Sequence, residues 1–447
     1  MTVRIAYSFD ESRRAPEITY ALHHLFRVAG LEGFPNGAGR NRCDARMHYG
    51  FNPPLNRESC LWIRPSEFFG EHYGTSRSLP ASPVTWFETA PVFFVADDTR
   101  PKIEPWTGGL TTGADLVAST FFLLSGYEET INTQRDEHGR FLARFSVIGK
   151  REFQTTPWVD RYAGIFRKLF TTLIGRAVPL PSWDGQGCAL ALTHDVDSIR
   201  RPRLRVPIGS GATEFKKART ALRPFMELES EHNVRSTVFF LVRSHEQDKH
   251  PYDINDPAAL QVLREAQSCR AEIGLHGSYD CLQHPDGVEW EREAILKLDA
   301  TVEGFRQHYL RVPAGALQLV EESGFSYDSS LGWPDAIGFR HGTAWPFHPF
   351  CFARRRSLKL LEIPLVIMDR TLAKYSSLDA DSALPAALAI LDQVNLSGGC
   401  AAILWHHEFC DELRHPSYGK LYAHLIGWTK GTHARALTCR EIVKSIA

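Results

Sequence analysis

Residues 190–198 read LALTHDVDS. An apolar run ends in a histidine and two aspartates, with one valine between the acids. Along a strand side chains alternate faces, so Asp195 and Asp197 point the same way. Carboxylates that close repel unless a cation or a proton lies between them. A single aspartate after a strand is explained by a turn or a helix cap. Two of them behind a histidine ask for a metal or a shared proton, and for partners elsewhere in the chain.

The surrounding sequence alternates apolar runs with helical patterns. CALALTHD (188–195), VRSTVFFLV (234–242), AEIGLHGS (271–278), YLRVP (309–313), LKLLEIPLVIMD (358–369) and GCAAILWHHE (399–408) read as strands. Residues 220–232, 256–270, 288–307, 315–323 and 381–394 read as helices. This alternation predicts a parallel α/β architecture, open or closed into a barrel. In such folds the working groups sit beyond the C-terminal ends of the strands.

Those ends share one chemistry. The first carries His194, Asp195 and Asp197, and another His276 with Asp280 four residues on. A third carries His308 and Arg311, and Asp328 follows a fourth. The last ends in Trp405, His406, His407 and Glu408. Each residue alone has a structural explanation; five polar strand ends together point to a site. Asp and His without clustered Cys suit zinc or another first-row metal. Such a metal polarises a carbonyl and activates water, a free Asp takes the proton, and a His returns one to the leaving group. That is amide or ester hydrolysis.

Bulk composition narrows the alternatives. The 447 residues carry 51 Lys+Arg against 52 Asp+Glu, which gives no reason to expect nucleic acid as a partner. With 43% hydrophobic residues the chain fills a core and is long enough for two domains. The nine cysteines form no C-x-x-C pair, the N-terminal MTVRIAYSFDESRRAPE shows no secretory pattern, and no long apolar run is present. The expectation is a cytoplasmic protein without a membrane span, with peripheral association allowed and oligomeric state open.

Before the double aspartate, residues 2–8 read as a strand, 17–30 as a helix stopped by Gly30, and 91–98 (PVFFVADD) as another strand. Asp115 is placed to cap a helix through LVASTFFLLSGYEE, whose Glu128 and Glu129 stand at the wrong end for the helix dipole unless they meet another segment. Residues 150–180 read as helical, and VPLPSWDGQG (178–187) as a linker. Residues 1–185 are therefore expected to form an α/β accessory domain, and 186–447 the domain that carries the site. GSGATEF (209–215) lacks the third glycine of a dinucleotide fingerprint, and RRRSLK (354–359) reads as a solvated face.

The motif order resembles the polysaccharide deacetylase family, carbohydrate esterase family four. THDVD (193–197) is similar to its first motif, STVFFLV (236–242) to its T-F-F strand and EIGLH (272–276) to its second motif. LRVPAG (310–315), SYDSSLGW (326–333) and AILWHH (402–407) are similar to the third, fourth and fifth. DLVASTFFLLSGYEE, DEHGRF, RQHYLR and GFRHGT resemble a bacterial branch with an extra N-terminal domain.

The resemblance implies a distorted (β/α) barrel, one divalent metal ion with zinc foremost, and removal of an acyl group from an N-acylated sugar or glycoconjugate. By position it implies Asp195 as general base, with Arg311 orienting it. Asp197 and His276 would hold the metal, Asp328 would brace His406, and His406 would protonate the amine. Trp333 would line the pocket, with His308 and Trp405 as substrate contacts. The family's second motif reads H-x-x-x-H, and here Asp280 stands at its end. Asp280 is either a third ligand, giving a weaker Lewis acid, or no ligand. In the second case the domain is a non-catalytic carbohydrate-binding protein. A related metal-dependent amide hydrolase or deformylase is the other alternative. Strand alternation sends His406 and His407 to opposite faces, and the register favours His406.

Overall fold

A computed structural model describes residues 2–36, 43–54, 58–80, 84–96, 101–183, 185–207, 213–246, 251–432 and 434–446. Part of the C-terminal half of PVFFVADD, of the turns FNPPLN and SLPASPV, and of GSGATEF lies outside these residues.

The strand Ala189–Val196 is buried along its whole length. It pairs in parallel with Cys400–Leu404 along one side, and along the other with Arg435–Leu437 at its start and Thr237–Leu241 at its end. Outward from Thr237–Leu241 follow Glu272–Gly277, Gly304–Gln307, Tyr327–Asp328 and Leu361–Glu362, and beyond Cys400–Leu404 lies Leu365–Met368. Every pairing in this nine-stranded sheet is parallel. Strands covered on both faces need apolar residues at every position, which explains their unbroken runs.

The two end strands are consecutive in the chain, separated by Ile363 and Pro364 alone. Ile363 donates its N–H to Asp328, and the Pro364 carbonyl accepts from Ala402. One extended segment thus joins both edges of the sheet, curling it into a distorted barrel. Helices connect successive strands, among them Arg223–His232, Pro257–Ser268, Gly287–Leu296 and Ala380–Ser397.

Residues 288–313 depart from expectation. The helix expected over 288–307 ends at Leu296, and Gly304–Gln307 is a strand. YLRVP, expected as a strand, is a tight turn and loop after it. Asp299 stops any continuation by accepting from the N–H and hydroxyl of Thr301. Gly304 is required where it stands, because a Cβ there would lie 2.0 Å from the Tyr327 ring.

The N-terminal region has its own six-stranded sheet, in the order Leu31–Pro35, Val3–Phe9, Ala45–Tyr49, Cys60–Ile63, Gly109–Thr112, Ile103–Trp106. All pairings but the last are parallel. The helix Ala15–Ala29 ends on Gly30 at φ 77°, as its sequence predicts. Among the described residues of PVFFVADD, Pro91 and Val92 belong to a strand, Ala90–Val92.

Asp115 caps Leu116–Leu124 by accepting from Ala118 N–H at 2.9 Å. Gly126, at φ 67°, breaks the run, so Glu128 and Glu129 fall in the first turn of a new helix, Tyr127–Ile131. There the helix dipole favours them. Glu128 accepts from Val147 N–H at 2.8 Å, and Glu129 pairs with Arg340 across the two regions, Nε–Oε1 2.9 Å.

Further bonds join the same regions. Asp160 accepts from the Thr343 hydroxyl at 2.6 Å and from Ala344 N–H at 2.8 Å, and His24 meets Thr343 Oγ1 at 3.2 Å. RRRSLK is no free cationic face: Arg354, Arg355 and Arg356 pair with Glu322, Glu17 and Glu321. No helix among the described residues is long and apolar enough to cross a membrane.

Burial pushes the Glu129 carboxyl up, but Arg340 beside it more than compensates and holds it below the usual range. Removing one partner of such a pair strands the other charge. Glu129→Ala should therefore destabilise the fold by about 3 kcal/mol, and Glu129→Gln by less, measured as denaturant midpoints on the full chain.

Candidate metal centre

Parallel register delivers the site's side chains to one end of the barrel. Asp195 lies beside Phe239, Leu241 beside His276, and His276 beside Arg306. Alternation turns His194 the other way. It stacks on Phe225 at 4.1 Å and bonds Glu229 at 2.7 Å, as a structural residue.

Asp197, His276 and His308 bring one donor atom each into a common space. Asp197 Oδ1 is 3.3 Å from His276 Nε2 and 3.4 Å from His308 Nδ1, and the two nitrogens are 3.0 Å apart. Donors about 2.1 Å from a tetrahedral centre stand about 3.4 Å from one another, so a zinc-sized ion fits this triangle. His276 Nδ1 bonds the Arg306 carbonyl at 2.9 Å, which makes it the protonated nitrogen and leaves Nε2 as a donor lone pair. Asp197 Oδ1 is buried with no hydrogen-bond partner, as a ligand atom should be. Burial alone would raise the Asp197 carboxyl, but His308, His406, His276 and Arg370 hold it well below the usual range.

Two pairs flank the triad. Asp195 faces the fully buried Arg306, Nη1–Oδ1 3.4 Å, and its other oxygen is 3.7 Å from His276 Nε2. Arg306 lies over the Phe239 ring at 4.8 Å and also bonds Thr193 and Ser329, so it is held from several sides. Opposite, His406 Nδ1 bonds Asp369 Oδ1 at 2.7 Å, and His406 Nε2 points toward Asp197 Oδ2 at 3.6 Å. Burial would lower the His406 imidazole, but Asp369 and Asp197 raise it. Arg370 links Asp197 at 3.0 Å to Glu408 at 2.7 Å and sets a cation at the mouth. His407 is turned away, 3.4 Å from Ser198, and burial lowers it to about 4.

Four sequence expectations are corrected in placement. Asp280 does not join the donors: the turn after Gly277 aims it at Arg243, His284 and Ser278, and His308 from the next strand stands in the third corner. Arg311 does not reach Asp195. It donates to the carbonyls of His138 and Tyr279, because the strand ends at Gln307 and Arg306 is the arginine on it. Asp328 does not brace His406; it accepts from Ser330 N–H and hydroxyl, and Asp369 holds His406. Trp405 is fully buried against Tyr418 and Tyr422, where no substrate reaches it.

Trp333 is buried with Arg340 over its ring at 5.3 Å, and His308, expected as a substrate contact, stands with Asp197 and His276 in the donor triangle. The signal for His308 and Arg306 was in the sequence: R-x-H in FRQHY repeats the spacing of D-x-D.

The family of unknown function DUF7033 matches residues 7–174. None of the curated proteins matches the chain. Among solved structures, a Mycobacterium smegmatis protein assigned as a polysaccharide deacetylase is 16% identical over 60% of this chain and 92% of its own, with a TM-score of 0.42. A protein of Pseudomonas aeruginosa PAO1 with the same assignment is 16% identical over 61% and 95%, TM-score 0.43. The chitin deacetylase of the fungal pathogen Colletotrichum lindemuthianum is 14% identical over 59% and 90%, TM-score 0.35. Similarity at this level says nothing about chemistry.

The donor triangle separates His276 and His308 from Asp280. His308→Ala should abolish stoichiometric zinc in elemental analysis of the purified protein, as should His276→Ala, whereas Asp280→Ala should retain it.

Proposed function

We propose that the chain is a metal-dependent hydrolase that removes an acyl group, acetyl foremost, from an N-acylated sugar or glycoconjugate. In this reading residues 186–447 carry the chemistry, in the biosynthesis of a polysaccharide or related conjugate in the cytoplasm. One observation carries it: an Asp/His/His donor set stands between an Asp–Arg pair and a His–Asp pair. The sugar substrate rests on the order of motifs in the sequence.

A divalent ion on Asp197, His276 and His308 would polarise the acyl carbonyl and lower the pKa of a bound water. With one carboxylate and two imidazoles, this set would leave the ion a stronger Lewis acid than the Asp/His/Asp set read from the sequence. Asp195, outside the donor triangle, takes the proton of the attacking water, and Arg306 fixes its direction. His406 gives a proton from Nε2 to the departing amine, while Asp369 on Nδ1 holds the ring and favours its charged form. Arg370 supplies a positive charge where the carbonyl oxygen becomes anionic. The non-catalytic alternative rests on Asp280, and a donor triangle with His308 at its third corner does not depend on that residue.

The test is release of acetate from N-acetylated sugars. Chelation should abolish it and zinc or cobalt should restore it. Asp195→Asn and His406→Gln should each lower kcat by about 10²–10⁴-fold with the fold unchanged by circular dichroism. Full activity after chelation would overturn the proposal.

A further inference from the structure

The chain behaves unusually just after His308. Tyr309 stands at φ 60°, ψ 8° and Leu310 at φ 53°. Two consecutive residues with side chains in the left-handed region cost about 1–2 kcal/mol each, and such a turn persists only when its surroundings hold it. The holding group comes from the N-terminal region. Arg140 donates from Nη1 to the Tyr309 carbonyl at 3.1 Å. Its guanidinium is clamped by Asp136, Nε–Oδ2 2.9 Å and Nη2–Oδ2 2.7 Å, and also meets the Tyr375 hydroxyl at 2.7 Å.

Asp136 in turn accepts the N–H groups of His138 and Arg140, so the turn is braced by its own bonds. The His138 ring lies 4.7 Å from the Tyr309 ring, and Tyr309 lies 4.5 Å from the ring of His308. The contact is reciprocal: Arg311, three residues after His308, donates to the His138 carbonyl at 2.7 Å.

We propose that the turn Asp136–Arg140 is a positioning element that holds the strained Tyr309–Leu310 turn and thereby sets His308 as third metal donor. The inference rests on the metal-binding part of the proposed function. Arg140 touches no reacting atom; it acts on the ligand's backbone, and the N-terminal region completes the centre in this way. A residue that merely glues the two regions would lower stability without altering the geometry at the metal. The Arg355–Glu17 pair, 2.9 Å, joins the same two regions through neither the donors nor their neighbours and serves as the control.

The experiment is titration of the metal-free full chain with Co²⁺, reading visible absorption intensity and affinity by chelator competition. Arg140→Ala is expected to weaken Co²⁺ by about 10–100-fold and change the ligand-field spectrum, the size of effect seen when an outer partner of a ligand is lost. Arg355→Ala is expected to lower Tm and leave both readings at wild-type values. Adding Tyr309→Gly to Arg140→Ala should recover part of the affinity, because glycine enters the left-handed region freely.

Should Arg140→Ala fail to fold, Asp136→Asn, which keeps the turn's acceptor and removes the clamp's charge, is expected to weaken Co²⁺ in the same direction. Wild-type affinity and spectrum in Arg140→Ala, or in Asp136→Asn in its place, overturn the inference alone, as does equal weakening by Arg355→Ala. Absence of Co²⁺ binding by the wild-type chain overturns the metal-dependent reading itself, and this inference with it.

Discussion

Two carboxylates at the end of a buried strand set the terms for everything around them. An uncompensated charge in such a place costs several kcal/mol, so Asp195 and Asp197 each need a counter-charge, and not the same one. Asp195 meets Arg306, and Asp197 meets His276, His308 and Arg370. These partners come from three other strands or strand ends, so the parallel register is what makes the double aspartate tolerable. The division of partners also separates the two acids: Asp197 stands in a triangle with His276 and His308, and Asp195 stays outside it.

Much of this was legible in the sequence because buried parallel strands announce themselves as apolar runs ending in polar groups. CALALTHD, AEIGLHGS and GCAAILWHHE each form a strand close to where the sequence predicts it. Between 288 and 307 the same logic misled. Ile295, Leu298, Val302 and Phe305 recur at three- and four-residue spacing, which imitates a helical stripe through the break at Asp299. With the strand hidden, Arg306 and His308 lost their common face, and Arg311 and Asp280 filled their roles. Asp369 was overlooked for a different reason: a lone acid at a strand end looks like a turn former until a histidine from another strand is seen bonded to it. Glu128 and Glu129 could be recognised as needing partners, but which partners depended on a glycine break and, for Glu129, on a contact some 200 residues away.

The two regions are not beads on a string. Asp160, Glu129, Arg140 and His24 all reach into the C-terminal half, and Arg311 and Arg355 reach back. Most of these bonds are charge-assisted and several are buried, so each has a definite geometry and leaves little freedom for the halves to slide. The arrangement brings the N-terminal region up to the turn that follows His308.

The long reach of the first helix carries a cost in time. His24 completes its bonding with Thr343, 319 residues further along. At ordinary rates of synthesis, on the order of half a minute separates the emergence of the two partners from the ribosome. Until then Ala15–Ala29 can lean on its own sheet, but the side that meets Thr343 and Phe347 has nothing to cover it. The barrel waits as well, since the segment that joins its edges is made late. A nascent chain of this protein therefore spends that interval with apolar surface open to other molecules, and an early stop in translation leaves a product that chaperones must hold or proteases remove.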